Sequence, residues 1–528
     1  MKNDTILAEV VRHGLQAVAE EMGAALIRTA HSINIRDRRD FSCGVFDAKG
    51  QLIAQAEHIP VHLGLIAGVV SRTIENLGED IAAATMVVTN DPWLTGSHLP
   101  DVVVIAPVDA EDGRRLGYVA NMAHQVDLGG FAPGSLALGT VDITQEGLRV
   151  PPMVLMRNGT VEHSTLALFK LASRTPDMVA GDLLAQAAAN TTGARRLAAL
   201  IERTGEERFH TAVTTLLATT EKRLENAFRA LEGRKGQFSD TLEWHEAGKD
   251  VDLTVAVNLT ITDGTLHADF TGTSGQVAGP VNAPVFLTAS CVLYVVKAML
   301  DPDIPSNAGL FRRIVLKTPE RSIVDAAAPS PVALCTSITS QRITDALIGA
   351  FNQIRPDMPI AASTGSMNAL ILGGTDPATG RSYSYVETYA GGQGGLTGKA
   401  GASGVHCHMT NTANSPVELI ERAYPLTVLD YGLIDGSGGA GEFCGGLGLR
   451  RTILVNADSV LTVHLDRTRH QPWGVMGGSS ARGSRIRILD ADGERSLPGK
   501  STTSVKAGTT ITMETAGGGG WGNGNKRV

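Results

Sequence analysis

Aromatic residues make up only 4% of the 528-residue chain, and there are five cysteines: Cys43, Cys291, Cys335, Cys407 and Cys444. The cysteines are scattered, odd in number and never paired as CxxC. That excludes a disulfide framework and fits free thiols in a reducing compartment. No run of about 18 uninterrupted apolar residues occurs, so no membrane span is expected. The opening MKNDTILAEVVRHGLQ has neither the apolar core nor the cleavage site of a secretory signal. A cytoplasmic location is the expectation. The net charge is -8, without basic runs or basic residues interleaved with aromatics. Nucleic acid is therefore not an expected partner. No internal repeat of fixed period is present. A phosphate-binding P-loop is missing too. The nearest approach, QGGLTGKA, has Gln393 where glycine is required and Ala400 where Ser or Thr would bind magnesium. It reads as a structural glycine loop and not as a phosphate cradle.

Glycine is plentiful, at 60 residues, and implies many tight turns and close backbone approaches. With 43% hydrophobic and 19% charged residues the composition is that of a globular protein. At roughly 150 residues per domain the length suggests about three domains. Leu7, Val11, Leu15, Val18, Met22 and Leu26 recur at three- and four-residue steps, which predicts a helix over 5–30. The segment RDRRDFSCGVFDAKGQLIAQAEH predicts a hairpin turning at DAKGQ. VHLGLIAGVVSRTIENLG reads as a helix, and ATMVVTNDP, DVVVIAPVD and RRLGYVANMAH read as strands. Residues 176–232 are helical by composition and period, with breaks expected at TTG and RTG. The polar stretch EGRKGQFSDTLEWHEAGKD marks a boundary, after which VDLTVAVNLTITDGTLHADFTGTS alternates around a DG turn. Helices are expected at 284–300 and 341–353, and from about 380 the chain is rich in glycine and short strands. The fold class expected is mixed, multi-domain α+β. Its parts are an α/β region over 1–175, a helical segment over 176–235, a mixed β/α domain over 236–380 and a glycine-rich β domain over 381–528.

Six of the fourteen histidines fall in the first 124 residues, among several aspartates. A hydrolytic transition-metal site takes mixed imidazole and carboxylate ligands and keeps one position open. His98 and Asp101 share the loop TNDPWLTGSHLPD before the apolar run VVVIA, His124 closes the next strand, and Asp40 opens the hairpin strand. If those strands are sheet neighbours, the four side chains converge. Otherwise His98 caps a turn and His124 is a satisfied core histidine. His58 and His62 flank Pro60 in a turn, where either lines a pocket or bonds backbone. Alternation puts His406 and His408 on one face if they lie on a strand.

The segments INIRDRRDFSCGVFDAKGQLIAQAEHIPVHLG, VTNDPWLTGSHLPDVVVIAPV, GYVANMAHQVDLGG, DFTGTSGQVAGPVNAP, DPDIPSNAGLFRRI, HCHMTNTANSPVELIERAYPL and GGGGWG resemble the hydantoinase B family over essentially the whole chain. That family includes subunits of ATP-dependent N-methylhydantoinases and a portion of 5-oxoprolinases. It is similar to subunits of acetone and acetophenone carboxylases and of a caprolactamase. The resemblance implies a divalent transition metal, zinc or manganese, on Asp40, His98, Asp101 and His124. A ligating imidazole usually donates its other N–H to a carboxylate or carbonyl, and Asp127, Asn121 and Asp91 are the nearest such partners in sequence. The resemblance also implies ATP and Mg bound by a separate A-type subunit, and a small cyclic amide as substrate. Arg36 and Arg38 in NIRDRRD are candidates to hold an anionic group. Glu146 and Glu387 are candidates for acid or base. The alternative under the same resemblance is a subunit of an ATP- and bicarbonate-dependent ketone carboxylase.

Overall fold

A computed structural model describes residues 2–56, 58–246 and 249–524. The fold is mixed α+β. The helix Lys2–Thr29 buries Val11, Leu15, Val18, Met22 and Leu26, the residues its periodicity singles out. It packs on a second long helix, Pro176–Thr204. That helix runs unbroken through Thr191-Thr192-Gly193, contrary to the break expected at TTG. Gly193 serves close approach instead, since a Cβ there would lie 2.4 Å from Met22 Sδ. The break expected at RTG does occur. Gly205, at φ 81°, separates this helix from Glu206–Arg229.

A seven-stranded antiparallel sheet forms the N-terminal part. Its strands are β1 (Phe41–Asp47), β2 (Leu52–Ala56), β3 (Thr85–Thr89), β4 (Asp101–Asp109), β5 (Arg115–His124), β6 (Met153–Arg157) and β7 (Thr160–Val161), in the order β2-β1-β5-β4-β3-β6-β7. Alternate residues of β4 and β5 enter different apolar clusters. Ala106, Val119 and Ala123 pack under the two long helices. Val103, Ile105 and Met122 face the large core on the other side. A strand buried on both faces reads as a continuous apolar run, which accounts for VVVIA.

The segment 61–78, expected as one helix, is divided into His62–Leu65, a 3₁₀ turn at Ile66–Gly68 and Val69–Leu77. The Arg72 guanidinium folds back and donates to Leu65 O at 2.9 Å, competing with regular helix bonding at that carbonyl.

A second sheet holds β8 (Lys235–Glu246), β9 (Lys249–Thr262), β10 (Thr265–Asp269) and β11 (Ile314–Lys317). The β9–β10 turn has positive φ at Asp263 and Gly264, as a two-residue DG hairpin requires. The helices Val285–Leu300 and Ser340–Ile354 pack together, the second also against β8 and β9. A third sheet pairs β12 (Ala369–Thr375) with β13 (Ser382–Thr388) and with Ser459–His464, which pairs on with Lys500–Val505. Residue 380 thus lies in the turn of a hairpin whose strands share one sheet. The largest core cluster contains Phe46, Val255, Leu347, Ile371 and Val386, so the first three sheets share it.

Many late glycines serve close approach between extended segments. Gly395 N donates to Gly519 O and Gly439 N to Gly518 O, each at 2.8 Å, and Gly518 N donates to Gly446 O at 2.9 Å. A Cβ on Gly445 would fall 1.7 Å from Gly518 O. QGGLTGKA belongs to this assembly, with Gln393 O accepting from Gly446 N, and no helix follows it as a P-loop requires.

Candidate metal centre

The sheet register builds the site. Asp101, the first residue of β4, is the cross-strand partner of His124, the last residue of β5. One strand further, Phe41 pairs with Ala123, and His124 N donates to Asp40 O at 3.0 Å. Asp40, His124 and Asp101 therefore stand at one level across three adjacent strands. His98 reaches the same place through a tight turn in which Asp101 N donates to His98 O at 3.1 Å. The short helix Pro92–Thr95, capped by the Asp91 side chain, and Gly96 at φ 80° lead the chain into that turn.

His98, Asp101 and His124 form a buried group whose ligand atoms all lie within 4.8 Å of one another. His98 Nε2 is 3.2 Å from His124 Nδ1 and 3.4 Å from Asp101 Oδ2, and His124 Nδ1 is 3.1 Å from Asp101 Oδ1. Asp40 lines the same cavity. So does His62, whose Nε2 is 3.7 Å from Asp101 Oδ2. Its neighbour His58 stacks on Phe41 at 4.4 Å between ring centres and does not line it.

His98 Nδ1 lies 2.9 Å from Ala333 O, so the ring donates there and turns Nε2 toward the cluster. A ligating imidazole commonly has such support on its other nitrogen. His62 Nδ1 similarly meets Ser42 Oγ at 3.2 Å, and Ser97 Oγ makes a short hydrogen bond to Asp101. His124 Nε2 is buried without a hydrogen-bond partner. Burial opposes charge on Asp101, but His98, His124 and His62 outweigh it and hold its carboxyl well below the usual range. Burial also opposes charge on His98, yet Asp101, the Ala333 carbonyl and Asp40 raise its pKa. Two imidazoles and a carboxylate with a second carboxylate nearby, one ring nitrogen orphaned, fit a divalent cation.

The residues expected to support the histidines are employed elsewhere. Asp127 accepts from Gly129 N and Gly134 N and pairs with Arg174. Asn121 donates to Gln186 O and Asn190 Oδ1, and Asp91 caps its helix and pairs with Arg149. Glu146 lies behind the cavity, where its carboxylate accepts from Val332 N at 3.0 Å and Ala333 N at 2.9 Å. It thereby braces the peptide whose carbonyl holds His98. Burial raises its pKa to about 7.

Glu387 is paired with Arg451 at 2.8 Å and accepts from Ser415 N. Its β13 neighbours Val386 and Thr388 line the cavity, so alternation turns Glu387 away. Arg36 is partly exposed and pairs with Asp37, whereas Arg38 is buried and lines the cavity. His406 and His408 lie on no regular strand, and His406 bonds Thr410 and Thr412 instead.

Sequence reasoning missed Thr336, Ser337 and His464 in the cavity wall. His464 Nε2 meets Leu136 O at 3.0 Å, and burial lowers its pKa to about 4. Nothing in TVHLDRTRH separates His464 from any other strand-end histidine.

Residues 4–524 match the family model described as hydantoinase B/oxoprolinase. The chain belongs to this family. It is 39% identical to an uncharacterized protein of Methanocaldococcus jannaschii, covering 98% of this chain and 91% of that one. It is 32% identical to 5-oxoprolinase 1 of Arabidopsis thaliana, covering 98% of this chain but only 42% of that protein. A relative from Pseudomonas sp., named as one subunit of a D-/L-hydantoinase, is 30% identical over 99% of this chain and 90% of its own.

Among solved structures, an ATP-dependent caprolactamase from Pseudomonas jessenii superposes with a TM-score of 0.90 at 25% identity, over 98% of this chain and 91% of that one. Nucleotide-free acetone carboxylase does so with a TM-score of 0.91 at 19% identity, over 99% of this chain and 76% of that one, a likeness of fold. Among the described residues no helix is long and apolar enough to cross a membrane.

Proposed function

We propose that this chain is the metal-carrying subunit of an ATP-dependent cyclic-amide hydrolase of the hydantoinase/5-oxoprolinase type. The observation that carries the reading is the register of β1, β5 and β4, which aligns Asp40, His124 and Asp101 at one sheet end with His98 in the preceding turn. The ion is a divalent transition metal, zinc or manganese, held by these four residues. When bound, it supplies a Lewis acid that polarises a carbonyl oxygen and acidifies water.

The chain's own residues do the rest. Ala333 O, braced by Glu146, fixes the tautomer of His98. Ile59, Val61, Leu136 and Met367 wall the cavity and exclude bulk water. The substrate is a small cyclic amide. Its carbonyl is resonance-stabilised and its nitrogen leaves poorly, so hydrolysis needs activation. ATP and Mg on an A-type partner subunit provide it, in keeping with the lack of a P-loop here. In the net reaction the ring C–N bond breaks, water adds to the carbonyl carbon, and the nitrogen takes a proton.

Relatives of 30% identity or more carry oxoprolinase and hydantoinase names, whereas the carboxylase likeness is one of fold. That favours hydrolysis over ketone carboxylation. Free thiols at all five cysteines accord with a cytoplasmic enzyme.

Elemental analysis of the purified chain beside Asp101→Ala and His124→Ala is the test. The expected result is about one transition-metal ion per chain, absent from both variants with circular dichroism unchanged. No stoichiometric ion, or an ion that both variants retain, would refute the ligand set.

A further inference from the structure

His464 ends the strand Ser459–His464, where it is the cross-strand partner of Ala369 on one side and Lys500 on the other. Its ring is fully buried and lines the cavity that holds Asp40, His98, Asp101 and His124. The hydrolysis proposed above does not use it. Nε2 lies 3.0 Å from Leu136 O. A carbonyl oxygen only accepts, so Nε2 carries the hydrogen of the neutral ring and Nδ1 is left as a bare lone pair. Burial, with His98 and Lys500 nearby, holds the ring neutral.

Among the described residues Nδ1 has no hydrogen-bond partner. Ser337 Oγ, a second orphan in the same wall, does not reach it, since either atom would then satisfy the other. Buried polar atoms are normally paired, and an unpaired one costs free energy that a donor on a bound molecule recovers. Nδ1 can accept and cannot donate, so it calls for an N–H or O–H.

A cyclic amide brings one such donor. Ring closure forces its amide bond cis, so C=O and N–H lie side by side on one edge of the ring. With the carbonyl toward His98, Asp101 and His124, the N–H falls toward a neighbouring part of the same wall. His464 is there, near enough to His98 for a charge on that ring to oppose one on its own.

We infer that His464 reads the nitrogen of the scissile amide, its bare Nδ1 accepting from the ring N–H, and that the site therefore selects cyclic amides with a free N–H over N-substituted amides and over ketones. The inference rests on the cavity being the substrate site, as proposed above. A ring without that donor leaves Nδ1 buried and unpaired, which is the costly case.

Calorimetric binding to the purified metal-loaded chain tests this without turnover. The probes are 2-pyrrolidone, N-methyl-2-pyrrolidone, which keeps the amide carbonyl, and cyclopentanone, which keeps the ring size. Wild type is expected to prefer 2-pyrrolidone over both by about 10-fold or more. Two variants separate recognition from packing. His464→Gln keeps a donor that reaches Leu136 O but puts no atom in the place of Nδ1, and it is expected to erase the preference. His464→Asn puts an acceptor oxygen near the place of Nδ1 but is too short for Leu136 O, and it is expected to keep part of the preference.

A purely structural role predicts the reverse order, with His464→Gln behaving as wild type, and that result would overturn the inference. So would wild type that binds the three rings alike, or none of them. If one variant fails to fold, the other decides together with the wild-type ratios. Metal content measured on the same samples reports on the ligand set independently. A chain that holds its metal and binds the lactam without preference fails this inference alone, whereas a chain without metal fails the functional reading.

Discussion

Glu146→Gln tests whether the brace behind His98 reaches the proposed metal site. Both carboxylate oxygens are in use, one on Val332 N and the other on Ala333 N and Thr140 Oγ. Glutamine keeps a single acceptor. Its amide nitrogen would then face a backbone N–H in a buried place, leaving a donor unsatisfied at about 1–3 kcal/mol. The 332–333 peptide is expected to rotate away from that contact and take Ala333 O with it. His98 then loses the acceptor on its Nδ1.

Outer partners of metal-bound histidines are typically worth about 10–100-fold in metal affinity. A loss in that range, about 1.4–2.7 kcal/mol, is expected here. The assay is competition for the metal with a chelator of known affinity, read beside thermal unfolding of the metal-free chain. A variant that unfolds earlier but holds metal within about twofold of wild type would show that the brace serves stability alone, and the linkage from Glu146 through Ala333 to His98 would be refuted.

Two further predictions concern pH and packing. His464 is buried with its pKa lowered to about 4, so between about pH 6.5 and 4 the unfolded chain binds more protons than the folded one. Its share of stability is complete above pH 6.5 and is lost as the pH falls toward 4, by about 3 kcal/mol at most. Denaturant unfolding of metal-free protein at pH 7 and 5 should show a smaller difference for His464→Gln than for wild type, and equal differences would refute this. Gly445→Ala would force a methyl group onto Gly518 O and Gly519 O, which are backbone atoms without rotamer freedom. A loss of about 1–3 kcal/mol or more is expected in the unfolding midpoint, and an unchanged midpoint would show that the glycine segments slide apart cheaply.

Local sequence signals carried much of the fold. The spacing of Val11, Leu15, Val18 and Met22 defines the first helix, and Asp263-Gly264 defines its hairpin, because both depend on short-range geometry. Where tertiary contacts overrode them, the cause can be named. Arg72 competes for Leu65 O and divides a helix, and Met22 sits over Gly193 and makes a suspected break an intimate crossing.

By itself the sequence determined the strands that end in His124 and begin at Asp101, and the absence of a nucleotide loop. It also determined the residue types suited to a metal. These follow from period, turn chemistry and donor identity, all of which are local. Only the tertiary structure decided that Asp101 and His124 are cross-strand partners, that Glu387 faces away from the cavity and that Arg38 rather than Arg36 lines it. The same holds for Thr336, Ser337 and His464, which close the cavity from more than 200 residues further along the chain. Register and face are set by the pairing of whole strands and the burial of whole sheets, and no short stretch of sequence contains that information.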